Sequence, residues 1–240
     1  MMFSNIIPLG ANCFLATDLK NMGLRSKSYP LDWVESFNFE KVIQLVGNNF
    51  DGFLDYDCLF QRTNQRLVYD NEKYEISFFH DFDKYISLKN QIQYVSEKYQ
   101  RRIERFYKSI SYPTLFIRYI MTDEDLEYIS KNQREILAFL KTYNQNNEIL
   151  YCSFIEDCNE RIKNCYYVSK DEGNWYSKNP ISGNKKLSEY LLNLDVYDTE
   201  KNLKFAKENA IQKTSIGFCP TIEQWARRFF KKPYKHNKMH

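Results

Sequence analysis

A chain of 240 residues, 43% hydrophobic and 17% aromatic with only 7 glycines and 6 prolines, can bury a large core without disulfide or metal staples. That composition excludes a disordered or collagen-like chain. The formal charge of +3 is too small to argue for nucleic acid as a partner.

The chain opens on a short apolar strand, Asn5 to Leu9, which passes Gly10 and the cap residue Asn12 into a helix beginning at Cys13, with Leu15, Leu19 and Met22 at helical spacing. A thiol at such a strand-to-helix turn meets unpaired N–H groups and the positive end of the helix dipole, which lower a thiol pKa and can hold an oxyanion. Free cysteine is also among the most buried residue types, so plain core packing stands as the alternative. Gly23 supplies the helix stop. The following Leu24 to Trp33 is rigid and non-helical because Pro30 holds Tyr29 extended, and it carries Asp32 beside Trp33. Phe39, Val42, Ile43 and Val46 then predict a helix with one buried face.

Residues 50–64 read as irregular. A hairpin follows, Arg66 to Tyr69 against Tyr74 to Phe79 around Asp70-Asn71, and its second strand delivers His80 and Asp81. His80 is the only histidine outside the C-terminal tail. Ile92, Val95, Tyr99, Ile103, Phe106 and Ile110 form the stripe of a long helix whose other face, Lys98, Arg101, Arg102 and Arg105, reads as solvated. Thr114 to Ile120, a helical region from Asp123 to Tyr143, and Glu148 to Phe154 make a β-α-β pattern, which implies parallel pairing. Arg118 inside the first of these strands either holds a carboxylate or phosphate, or sends its stem out at a sheet edge. One more strand spans Asn164 to Ser169, and the polar stretch Lys170 to Lys186 is a candidate mobile loop. Helices are predicted from Leu187, over Asn202 to Ala210, and after Pro220, where Thr221 and Gln224 have capping-box spacing. The basic residues Arg227, Arg228, Lys231, Lys232, Lys235 and Lys238 read as a solvated end.

The expected architecture is one α/β domain over 1–240, a mostly parallel sheet with helices on both faces plus a β-hairpin insertion, ending in a basic tail at about 231–240. An α+β fold is the alternative. Six cysteines at 13, 58, 152, 158, 165 and 219 show no Cys-x-x-Cys or zinc spacing, so reduced thiols with neither metal nor cofactor are expected. No lysine or arginine precedes the first apolar run, and no stretch approaches about 20 apolar residues, so a cytoplasmic chain without a membrane span is expected.

Leu9-Gly10-x-Asn12-Cys13, Gly23-Leu24-Arg25, Ser28-Tyr29-Pro30-Leu31-Asp32-Trp33, Phe79-His80-Asp81-Phe82 and Glu97-Lys98-Tyr99-x-Arg101-Arg102-Ile103 together resemble a bacterial domain family labelled putative papain-like cysteine peptidases. The resemblance covers about the first 120 residues. It implies a thiol nucleophile at Cys13, a base at His80 and an acid at Asp32 or Asp81, in a setting of bacterial surface-polysaccharide biosynthesis. A thiol nucleophile needs a proton acceptor within reach, and the acceptor needs an orienter. Asp32, coming from a rigid turn, is the better orienter, because Asp81 on a continuing strand would point away from His80.

Two readings follow. In the first the chain is a cysteine-dependent acyl-transfer enzyme, hydrolase or transferase, acting on a peptide, glycan or small-molecule substrate. In the second it is a phosphate-handling transferase or a binding module for a nucleotide-sugar or glycan, with Cys13 structural. The expected substrate- or anion-binding residues are Gly10, Asn12, Arg25, Trp33 and Arg118. A non-enzymatic adaptor using the basic tail and the Arg101, Arg102, Arg105 face is a third option.

Overall fold

The computed structural model describes residues 3–63, 68–194 and 196. Two sheets organise them. The first is parallel and has the order β1-β6-β7-β8, formed by β1 (Asn5–Pro8), β6 (Thr114–Ile120), β7 (Glu148–Ser153) and β8 (Cys165–Tyr167). Ile6 pairs with Leu115, Ile117 with Leu150 and Cys152 with Tyr166. Strand β6 lies between two neighbours and is buried at every residue, which explains its continuous apolar run. The crossovers between β1, β6 and β7 carry helices: α1 (Cys13–Asn21), α2 (Phe39–Gly47) and α3 (Leu88–Ile110) precede β6, and α4 (Asp123–Lys141) precedes β7.

The predicted hairpin is realised as β4 (Tyr69–Asn71) and β5 (Ile76–Phe78) of a second sheet. This sheet is antiparallel with the order β2-β5-β4-β3, its other strands being β2 (Val34–Glu35) and β3 (Leu59–Gln61). The turn joining β4 to β5 falls after Asn71 and not at Asp70-Asn71, because Asn71 is a strand residue paired with Ile76. Its buried amide donates to the carbonyls of Gly52 and Phe53 at 2.8 and 3.1 Å and accepts from the Tyr74 N–H at 3.0 Å. One face of this sheet, Val34, Phe78, Ile76, Tyr69 and Leu59, enters the core. There Phe53 packs on Phe78 and Tyr99 at ring-centroid separations of 5.1 and 5.2 Å.

The helix stop at Gly23 is realised. Gly23 takes φ +74°, its N–H donates to Lys20 O at 3.1 Å, and Leu24 N–H donates to Leu19 O at 2.9 Å, the Schellman arrangement. Two expectations change. The basic face of α3 is largely engaged inside the protein: Lys98 and Arg102 pair with Asp81, and Arg105 donates to Ser28 O at 2.6 Å. The stretch from Lys170 to Lys186 is docked. The N–H groups of Ile181 and Ser182 both donate to Asp18 Oδ2 at 2.8 Å, and Ser177 exchanges two hydrogen bonds with the Tyr119 hydroxyl. It ends in α6 (Lys185–Leu192), and a short α5 (Cys158–Arg161) lies between β7 and β8.

No helix among the described residues is long and apolar enough to cross a membrane, and no described group of three or more His, Cys, Asp or Glu is placed to hold a metal. The helices predicted over Asn202 to Ala210 and after Pro220, the basic tail, and the Arg66-Leu67 end of the hairpin lie outside the described residues.

Candidate active site

The loop between β1 and α1 sets the geometry at Cys13. Gly10 takes φ +77° and Ala11 φ +84°, a region that side chains other than glycine rarely occupy. Ser36, just past β2, holds this loop from both sides: its N–H donates to Ala11 O at 2.9 Å and its hydroxyl accepts from Ala11 N–H at 3.2 Å. Strained backbone held so firmly at a strand end is characteristic of functional sites. Asn12 then caps the helix, its Oδ1 accepting from Phe14 N–H at 3.0 Å while its Nδ2 donates to Met121 Sδ at 3.1 Å. Half-buried Cys13 is therefore the first residue of α1, at the positive end of its dipole.

Gly10 has no room for a side chain. A Cβ there would overlap Ser36 Oγ and stand 3.2 Å from an Arg118 nitrogen, and φ +77° adds strain. Gly10→Ala should cost about 2–4 kcal/mol, seen as a lower urea midpoint, because the loop must leave its clamp.

His80 follows β5, and the antiparallel pairing of Val34 with Phe78 brings the Trp33 end of β2 beside it. The indole of Trp33 meets the imidazole edge-to-face, 6.3 Å between centroids at 86°. His80 makes no hydrogen bond among the described residues. Although exposed by area, its ring is desolvated enough by surrounding protein to disfavour imidazolium, so its pKa falls below 6.5; Asp81 opposes that fall and Lys98 adds to it. The neutral ring can accept a proton at pH 7.

Neither candidate acid reaches His80 by a hydrogen bond. Asp81, its side chain 2% exposed, is an ion-pair partner of Lys98, accepts from Tyr99 OH at 2.7 Å and stands 3.9 Å from Arg102. It fixes the end of β5 to α3. Asp32 is 0% exposed, pairs with Arg25, and accepts the Tyr29 N–H at 2.6 Å, closing the 3-10 turn Pro30–Trp33. Burial raises its pKa, with Arg25 as the main opposing influence.

The two predicted anion-binding arginines are spent on the chain itself. Arg25 donates to Asp32, Lys27 O and, at 3.0 Å, Ala16 O of α1, so it ties α1 to the turn that presents Trp33. Arg118 is buried under Gly10 and donates to Leu9 O, Ser36 O and Asp125. Arg25 thus fixes α1 to the turn Pro30–Trp33, and Trp33 at the end of that turn meets His80.

Ser36 and Asp125 escaped sequence reading, because their partners lie in remote elements. So did Tyr176, whose ring stacks on Phe14 at 5.2 Å and 18°, placing the 170–186 segment beside the residue after Cys13. Of the other described cysteines, Cys58 is half-buried and Cys152, Cys158 and Cys165 are buried. Burial pushes the Cys152 thiol up, and Cys165 is raised first by its hydrogen bond with Cys158.

A family model described as "Putative papain-like cysteine peptidase" matches residues 4–155, from β1 to just past β7. An "uncharacterized protein" of Acanthamoeba polyphaga mimivirus is 32% identical over 121 residues, which cover 42% of this chain and 54% of that protein. The match thus spans about half of that relative's length, and its viral origin gives no support to a bacterial source. No solved structure matches.

Proposed function

The chain belongs to the family described as putative papain-like cysteine peptidases, and from that premise we propose a cysteine hydrolase in which Cys13 is the nucleophile and His80 its base. The observation that carries this reading is the placement of Cys13 as the first residue of α1, behind a strained loop clamped by Ser36.

In this reading His80 takes the proton from the Cys13 thiol, and the thiolate attacks the carbonyl carbon of an amide or ester. The helix N-terminus stabilises the oxyanion that forms. Collapse breaks the bond to the leaving group, which takes the proton from His80, and leaves a thioester on Cys13. Water, losing a proton to His80, then attacks the thioester, and the carboxylic acid leaves as the thiol re-forms. A second acceptor in place of water makes the same steps an acyl transfer. Asp81 stabilises the imidazolium through its field, while Trp33 holds the ring edge-on. The reading as a phosphate site loses its cations, since Arg25 and Arg118 are engaged by the chain.

Iodoacetamide should label Cys13 first among the six cysteines at pH 7, and Cys13→Ser should abolish turnover without lowering the thermal midpoint. His80→Gln should slow labelling by about tenfold or more, a base's usual contribution being larger still in turnover. The acid limb of labelling should lie below pH 6.5, where His80 gains its proton. An inert Cys13 at pH 7 with another cysteine labelled would overturn the proposal.

A further inference from the structure

Glu35 is a carboxyl that the described protein leaves without a hydrogen bond or ion pair. The residue is 7% exposed, and its Oε2 is buried with no partner. Buried carboxyls are nearly always paired, so an orphan one asks for an explanation.

Its surroundings sharpen the question. Glu35 pairs with Ser77, and Ser77 with Asp70, so these three residues form one row across β2, β5 and β4. Their neighbours in sequence, Val34, Phe78 and Tyr69, enter the core, which puts the row on the other face. A cation is already there and does not serve Glu35. Arg62 donates through Nε and Nη2 to the two oxygens of Asp70 at 2.9 and 2.7 Å, and Nη2 also reaches Ser77 Oγ at 3.0 Å. Arg62 is thus committed to Asp70 and Ser77, and among the described residues no cation pairs with Glu35. Burial raises its pKa to about 8, with Arg62 opposing and Asp70 adding, so the carboxyl is mostly protonated at neutral pH. Its place in the chain is next to the chemistry: Ser36, which clamps the loop before Cys13, follows it, and Trp33, which meets His80, stands two residues before it.

We propose that Glu35 is the specificity-determining residue of this site, its carboxylate receiving a cationic amine or guanidinium of the substrate as the partner that the described residues do not supply. The proposal rests on the hydrolase reading for its substrate, and its test does not depend on catalysis. Binding of the cation expels the Glu35 proton to solvent, so affinity rises with pH until the free carboxyl is ionised.

The probe is benzylammonium, which keeps its charge over the range used, against uncharged benzyl alcohol, titrated into the full chain by calorimetry. Benzylammonium should bind with an affinity rising about 50-fold from pH 6 to pH 8 and release a proton at pH 7. Glu35→Gln should abolish that pH dependence and weaken binding at pH 8 at least tenfold, while Cys13→Ser binds as the natural protein does. No binding, equal binding of benzyl alcohol, or unchanged binding by Glu35→Gln would each overturn the proposal. If Glu35→Gln does not fold, carbon-13 carboxyl resonances of the natural protein decide. One glutamate should titrate near pH 8 and shift to lower pH with benzylammonium, and a titration unmoved by the probe would refute it. Normal Cys13 labelling without benzylammonium binding defeats this inference alone; an inert Cys13 with Glu35-dependent binding defeats the hydrolase reading alone.

Discussion

Arg118→Leu should destabilise the fold by about 3–5 kcal/mol, read as a fall in the urea midpoint, because it strands a buried charge. Arg118 is 0% exposed in the middle of β6. Its guanidinium donates to Asp125 Oδ2 through two nitrogens at 3.1 and 2.7 Å, to Leu9 O at 2.9 Å and to Ser36 O at 2.7 Å, and it lies 4.9 Å from the Phe39 ring centroid. Leucine fills part of the space and satisfies none of these oxygens. Burial already raises the Asp125 pKa against the field of Arg118. Without the arginine it should rise further, so the variant should lose least at acid pH, where Asp125 holds a proton, and most at neutral pH. The double variant Arg118→Leu, Asp125→Leu should recover part of the loss, since removing a buried pair together costs less than breaking it. An equal loss at every pH would show that packing, and not the stranded carboxylate, sets the effect. Leu9 O and Ser36 O lie on either side of the Gly10-Ala11 loop, so Cys13 labelling should slow in the same variant.

The same arginine shows what the sequence could and could not reveal. Its place in an apolar strand left open whether Arg118 holds a carboxylate or phosphate or sends its stem out at a sheet edge; that Asp125 pairs with it depends on how α4 starts past the end of β6. The parallel strands were legible because burial on both sides demands unbroken apolar runs. Asn12 and Gly23 were legible because capping is local chemistry. The antiparallel sheet was legible only in its β4–β5 hairpin. Strand β2 has two residues and β3 three, too few for an alternation to register, and their partners lie far along the chain. The roles of Asp32 and Asp81 were obscured for a related reason. Helical periodicity assigns Lys98 and Arg102 to a polar face, yet a polar face is free for solvent only if no carboxylate is folded against it. Asp81 is, and it therefore anchors His80's segment instead of orienting the ring. Likewise the polar run after Lys170 lacks apolar anchors in sequence, but its N–H groups find the Asp18 carboxylate on α1.

Glu35 should make the natural protein lose stability relative to Glu35→Gln as pH rises from about 5 to 8, by about 4 kcal/mol in all. The sign follows from proton counts. A glutamate that titrates at 4.5 when unfolded and at about 8 when folded holds its proton longer in the folded state. Between those values the folded protein binds more protons than the unfolded chain, so raising pH favours unfolding. Below 4.5 both states are protonated and the two proteins should run parallel; above about 8 the difference should level off. His80 has the opposite effect, since its lowered pKa makes stability rise with pH, but it is present in both proteins and cancels in the comparison. Urea denaturation at a series of pH values measures the difference directly, and curves that stay parallel from pH 5 to 8 would show that Glu35 is already satisfied in the folded protein. Adding benzylammonium at pH 8 should restore stability to the natural protein and leave Glu35→Gln unmoved, because only an ionised carboxylate gains the cation as a partner. A chain that keeps an unpaired acid next to Ser36, which clamps the Gly10-Ala11 loop, accepts a weaker fold at neutral pH, and a ligand that supplies the missing charge removes that weakness.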